Sequence, residues 1–369
     1  MTKFKRILLV TVAAVLALSA AARSASTVRE PNLFNQVDQV AMNAWVDSVF
    51  NSLSPDARIG QLIVAAVTPS GNDATRALVR QLVSKNLVGG LIYENSSMAD
   101  QAEITNLAQS LAAVPLMITI DGEWGLGMRL KEVPNFPRNL ILGAIDDDML
   151  LYNYGREVAR QCRRMGIQVN FAPVLDVNDN PLNPVIGNRS FGESPEIVAR
   201  HAIAFGRGLE DGGVMAVGKH FPGHGNSSED SHKTLPVINK TMQEINTCEL
   251  VPFRRFIEAG LSGILTAHLL VPSIDGGKAP TSLSSDCVND VLRDQLSFNG
   301  LIFTDALNMK GATQMLKGSA CVNALLAGND VLLMPENISD EIAAVKAAVA
   351  DGKLSQSIID ERCKIVENQ

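Results

Sequence analysis

No two of the chain's five cysteines lie close enough in sequence to work as a pair. Cys162, Cys248, Cys287, Cys321 and Cys363 are odd in number, far apart and in no CxxC spacing. A disulfide scaffold and a cysteine zinc site are therefore excluded. The chain also lacks a positive surplus: 32 Lys+Arg stand against 39 Asp+Glu, a net charge of −7. Non-specific nucleic-acid binding needs a basic surface, so a nucleic-acid partner is not expected. No GxGxxG follows an early apolar run, which leaves a dinucleotide site without support. Charge is sparse at 19%, but 46% of residues are hydrophobic, the balance of a folded chain rather than a disordered one. Its 369 residues have room for one large α/β domain or two ordinary ones.

No apolar run reaches the roughly 20 residues that a membrane span requires. The longest, from Ile7 to about Leu18, follows Lys3, Lys5 and Arg6 and is followed by SAAARSAS. A basic start, a short apolar centre and small residues at the end make a secretory signal peptide, most simply residues 1–22. The expected mature chain, 23–369, is then exported to the periplasm or beyond, with no stable membrane insertion after cleavage. Removing three basic residues takes its net charge from −7 to −10.

Beyond helical periodicity near 37–53, one pattern repeats to the end. A short run rich in Val, Ile and Leu gives way to a polar or glycine-rich break, then to an amphipathic stretch. The runs fall at 61–67, 88–95, 115–123, 167–177, 214–221, 262–269, 300–307 and 330–337. They are too short and too uniformly apolar for half-exposed antiparallel strands, and buried parallel strands read this way. Helical patterns lie between them, among them 147–165, 195–211, 240–259, 285–296 and 340–350. Eight strand–helix units in succession predict a single-domain (β/α)8 TIM-type barrel that fills nearly the whole mature chain. The runs end in polar residues, including Asp121, Asp176, Lys219, His220, His268 and Asp305, which places the chemistry at the barrel's C-terminal face.

The densest polar segment is KHFPGHGNSSEDSHKTLP, Lys219 to Pro236, with three of the five histidines. Asp230 and His232 are two residues apart, so a carboxylate can orient an imidazole for acid–base work. A metal set of His220, His224, Asp230 and His232 is the competing reading, but Pro222 and Gly223 spoil the helical frame that would present the histidines together. Asp305, closing the seventh run, is placed as a nucleophile in the barrel mouth or as the N-cap of a following helix. A retaining glycosidase needs a nucleophile and an acid/base together. Asp121, Trp124 and Arg129 form a set suited to sugar hydroxyls and ring faces, with barrel packing the alternative for the indole. Arg189, Lys219 and His220 add polar groups to that face, and a structural Arg189–Asp176 pair is the alternative for Arg189.

These motifs resemble glycoside hydrolase family 3, and KHFPGHG followed by DSH resembles its β-N-acetylglucosaminidase branch. The likeness runs from SLSPDARIGQLIVAAV through VGGLIYEN, IDGEWGLGMRL, NFAPVLDV, IGNRSFG and KHFPGHG to TDALNM and AGNDVLLMP. It implies a barrel that removes terminal β-linked N-acetylglucosamine with retention and without metal or cofactor. Carried over by position, Asp305 is the nucleophile, His232 the acid/base oriented by Asp230, and Asp121, Arg129, Arg189, Lys219 and His220 bind the sugar. The implied substrate is a small oligosaccharide or muropeptide, peptidoglycan fragments above all. The sequence departs from the cytoplasmic recycling enzymes after Asp121, reading Gly122, Glu123, Trp124, Gly125, Leu126 where those commonly have Gln–Glu–Gly–Gly–Arg. Some exported relatives continue into a further domain. A β-glucosidase or β-xylosidase of the same family, and a non-catalytic glycan-binding barrel, are the alternatives.

Overall fold

A computed structural model describes residues 31–33, 38–231 and 233–367. The expected signal segment and His232 lie outside the described residues. Eight parallel strands run in sequence order around a barrel: β1 (Ile63–Val67), β2 (Gly90–Tyr93), β3 (Met117–Ile120), β4 (Val169–Asn170), β5 (Met215–Phe221), β6 (Gly263–Thr266), β7 (Leu301–Thr304) and β8 (Leu332–Leu333). β8 pairs with β1 through Ile63 opposite Leu332, and a parallel bridge between Phe303 and Val331 joins β7 to β8. The predicted (β/α)8 barrel is therefore present, with every predicted run supplying one strand.

Each strand is followed by a helix on the outside. After α1 (Gln39–Ser52) come α2 (Asp73–Ser84), α3 (Met98–Leu111), α4 (Asp148–Arg164), α5 (Pro195–Asp211), α6 (Leu250–Glu258), α7 (Asp286–Gln295), α8 (Ala320–Ala327) and α9 (Ile338–Ala350), and α10 (Gln356–Glu367) ends the described chain. Side-chain caps fix several helix starts: Asp147 accepts the Leu150 N–H, and Ser194 precedes Pro195 at the first turn of α5. All seven residues of β5 are buried, because helices cover the outside of the barrel and side chains fill its inside. Across the interior, Phe171 meets Phe303 edge to face with ring centroids 5.3 Å apart.

Two boundaries differ from the sequence reading. β4 keeps only two residues of its predicted run, since Pro173 has no N–H for the ladder. The chain rejoins β5 beyond it, where Leu175 N–H donates to the Lys219 carbonyl at 2.6 Å. The helix predicted over 240–259 is two helices, Met242–Thr247 and α6, broken at Cys248. Pro252 in the first turn of α6 would clash with the carbonyl four residues back, and that residue is Cys248.

Candidate active site

At the C-terminal ends of the strands a cavity of about 480 Å³ opens, and Asp121, Arg129, Arg189, Lys219, His220 and Asp305 all line it. They come from four places in the sequence: the loop after β3, the turn before α5, β5 itself and the end of β7. Only barrel closure brings them together.

The cavity wall is an ion-pair network. Lys219 Nζ donates to Asp121 Oδ1 at 2.6 Å and lies 2.9 Å from Glu123 Oε1. Arg129 holds the other oxygen of Asp121 at 2.8 Å. Arg189 grips Glu123 through two parallel bonds, Nε to Oε2 at 2.9 Å and Nη2 to Oε1 at 2.6 Å. Burial pushes the carboxyls of Asp121 and Glu123 up, but the Lys219 ammonium and the arginines outweigh it and hold both below the usual range. In return Lys219, though desolvated, is held above the ordinary lysine value. Cations and carboxylates are thus both charged at neutral pH.

The alternative pairing for Arg189 is corrected here: its carboxylate partner is Glu123, not Asp176. Asp176 instead fastens the histidine loop. Its Oδ2 meets His220 Nδ1 at 2.6 Å, and its Oδ1 accepts the backbone N–H groups of His220 at 3.2 Å and His224 at 2.7 Å. Arg189 Nη2 can only donate, so His220 Nε2, 3.3 Å away, accepts and Nδ1 carries the proton to Asp176. This fixes one tautomer of His220 against the cavity. His224 is buried beside it, and burial above all pulls its pKa down to about 4.

Asp305 sits where β7 ends, its N–H bonded to the Thr266 carbonyl at 2.8 Å. It does not cap the next helix: that helix, Lys310–Thr313, begins after Met309. The Asp305 Oδ1 accepts the N–H of Ala306 at 2.8 Å. Burial pushes its carboxyl up, but the His268 and His220 rings, the Ala306 N–H and the Lys219 ammonium win, and the net shift is downward. An ionised carboxylate facing a cavity of cations is what a nucleophile requires.

The loop after β5 reaches the same cavity through Ser231, which lines it and bonds His224 Nε2 at 3.1 Å. Gly311 N–H donates to the Ser231 carbonyl at 3.1 Å, and a Cβ at Gly311 would stand 3.0 Å from that oxygen. Only glycine lets the loop approach so closely. Asp230 is next in the chain to Ser231 but is not among the cavity's lining residues; its carboxylate lies 3.8 Å from Lys233 Nζ. His232 lies outside the described residues.

Trp124 lines the cavity with one ring face occupied, since the Arg138 guanidinium stacks 3.5 Å from its centroid. Sequence reasoning left Glu123 without a role, placed His224 only in the competing metal set and offered Asp176 only as an alternative partner for Arg189. Glu123 carried a usable signal: two residues beyond Asp121 at a strand end, it returns to the same side of the chain. Elsewhere among the described residues, Asp179, Cys248 and Glu249 bring ligand-capable atoms within 4.8 Å of one another. Lys240 already bridges the two carboxylates there. No described helix is long and apolar enough to cross a membrane.

A charged cavity at the C-terminal end of a (β/α)8 barrel, with carboxylates on separate strands, is where barrel enzymes keep their chemistry. Comparison with known proteins gives the particular family. The glycosyl hydrolase family 3 N terminal domain matches residues 54–368. Beta-hexosaminidase A of Pseudoalteromonas piscicida is 34% identical over 280 residues, covering 69% of this chain and 47% of that one. A beta-hexosaminidase of Thiobacillus denitrificans is 37% identical over 279 residues, covering 72% and 77%. The solved family 3 beta-N-acetylglucosaminidase from a Paenibacillus species superposes with a TM-score of 0.80 at 37% identity, covering 85% of this chain and 61% of that one. The chain belongs to glycosyl hydrolase family 3. Its matched part spans about half the length of the Pseudoalteromonas relative.

Proposed function

We propose that this chain is a retaining exo-β-N-acetylglucosaminidase acting on small oligosaccharides, with peptidoglycan fragments as the natural class. The observation that carries the reading is Asp305: a carboxylate held ionised at the end of β7, lining one cavity with Asp121, Arg129, Arg189, Lys219 and His220. Two beta-hexosaminidases and a beta-N-acetylglucosaminidase among the relatives support the sugar class.

In the first step an Asp305 oxygen bonds to the anomeric carbon as the glycosidic C–O bond breaks, and the leaving oxygen takes a proton from His232. In the second, water gives its proton to His232 and attacks the same carbon, releasing the Asp305 carboxylate. Two displacements return the original anomer. Asp230 orients the His232 ring, and the sequence places that dyad next to Ser231, which reaches the cavity. The cationic wall binds hydroxyls of the terminal sugar. The basic start and apolar run at residues 3–18 support export, with cleavage after about residue 22.

Proton NMR of the first anomer released from an aryl β-N-acetylglucosaminide tests the mechanism, and an α-anomer as first product would sink it. The same assay with aryl β-glucoside and β-xyloside checks the sugar class. Turnover of either in preference would replace N-acetylglucosamine with that sugar.

A further inference from the structure

His268, at the end of β6, is completely buried, and its two ring nitrogens have separate partners. Nδ1 lies 2.6 Å from the Ser282 hydroxyl, and Nε2 lies 3.0 Å from the carbonyl oxygen of Ala306. A carbonyl can only accept, so Nε2 carries a proton, and in the neutral ring Nδ1 accepts from Ser282.

Ala306 is the residue after the proposed nucleophile. The peptide linking it to Leu307 is held on both edges. Its N–H, from Leu307, donates to the Leu333 carbonyl at 2.9 Å, and its C=O accepts from His268 and from the Met309 N–H at 3.0 Å. A fixed peptide plane on one side of Ala306 restricts rotation about that residue. The other side is the peptide whose N–H bonds Asp305 Oδ1 at 2.8 Å. Four points therefore lie in series: Ser282 hydroxyl, His268 ring, Ala306 backbone, Asp305 carboxylate.

We propose that His268, its tautomer set by Ser282, is a positioning residue for the nucleophile: it locks the Ala306 backbone so that Asp305 Oδ1 stays on the Ala306 N–H and Oδ2 is the oxygen that attacks. The inference rests on Asp305 as nucleophile. A carboxylate free to rotate would spend part of its time with neither oxygen in line with the anomeric carbon, and a displacement of about 1 Å can cost on the order of 10²-fold in rate. No contact between His268 and the sugar is required, so the effect falls on the chemical step rather than on binding.

The test compares His268→Ala, His268→Gln and Ser282→Ala in full-length protein. The readouts are kcat/KM on an aryl β-N-acetylglucosaminide, inhibition by free N-acetylglucosamine, and Tm. Glutamine carries an amide N–H that can donate to Ala306, but it has no tautomer for Ser282 to set. His268→Ala is expected to lose about 10²-fold in kcat/KM while the inhibition constant moves less than about threefold. His268→Gln should recover to within about 10-fold of wild type, and Ser282→Ala should lose about 3- to 10-fold with Tm unchanged. Wild-type kcat/KM in His268→Ala, a glutamine variant no better than the alanine one, or an equal loss in inhibitor affinity would each overturn the proposal. Should His268→Ala fail to fold, the other two decide: wild-type rates in Ser282→Ala, or about a 10²-fold loss in His268→Gln, would overturn it. A wild-type protein inactive on the N-acetylglucosaminide would instead count against the proposed function.

Discussion

Ion-paired carboxylates lie at both ends of the barrel, one at the lower end and two at the upper. At the N-terminal ends of the strands Asp330 is fully buried and accepts the Ile302 N–H at 2.7 Å, Arg293 Nη2 at 2.5 Å and Arg362 Nη1 at 2.7 Å. At the C-terminal ends Asp121 and Glu123 are just as densely paired, with Lys219, Arg129 and Arg189. Counting ion pairs does not tell the two apart. The difference is what lies beside them. Asp330 joins α7 and α10 to the seam between β7 and β8, with packed chain around it. The upper cluster borders a cavity of about 480 Å³, so its donors have somewhere else to point. Charged networks mark function only where the fold leaves space against them.

Single substitutions should separate the two ends. Asp305→Ala at the upper end should reduce turnover by roughly 10⁴-fold or more, with at most a modest fall in Tm, since its surroundings favour the ionised carboxylate that is removed. An aryl-glycoside assay beside a thermal melt checks both halves. At the lower end Asp330→Ala leaves two arginines without their counter-ion and should cost about 3–5 kcal/mol of stability. The folded fraction should keep its kcat, measured below the lowered transition. A large rate loss without a stability loss there would break the comparison.

Glu210 sharpens it further. It is buried at the end of α5 and accepts the Ser262 N–H at 2.8 Å, while its other oxygen has no hydrogen-bond partner among the described residues. Burial, above all, pushes its pKa up to about 8 from an ordinary 4.5. A carboxyl whose folded pKa is raised gives its full stabilisation below the unfolded value and loses it as pH rises through the folded one. Stability should therefore fall between about pH 4.5 and 8, by up to about 5 kcal/mol. Denaturant titrations across that range should show the fall in wild type and a flatter profile in Glu210→Gln. Asp305, held below the usual range, has the opposite sense: its ionised form is favoured at neutral pH and lost only on acidification.

Much of this was legible from residue order. The eight apolar runs all became strands because a parallel strand buried on both faces needs Val, Ile and Leu throughout, as in Ile63–Val67 and Leu301–Thr304. Asp121, Lys219, His220 and Asp305, near the ends of three runs, came to line one cavity because every parallel strand ends at the same face. Less legible were the breaks, since Pro252 splits a helix whose apolar periodicity runs on through Cys248. Partner choice was not legible either. Arg189 pairs with Glu123, 66 positions away, and Asp176 with the His220 ring, 44 positions away.

The sequence by itself determined the architecture, the face that holds the chemistry and the family, because periodicity and local motifs depend on neighbours along the chain. Tertiary structure alone decided which carboxylate meets which cation, which tautomer His220 takes and which end of the barrel keeps its charges beside a cavity. Those outcomes depend on distances of about 3 Å between groups far apart in sequence, and on whether packing leaves room for a ligand.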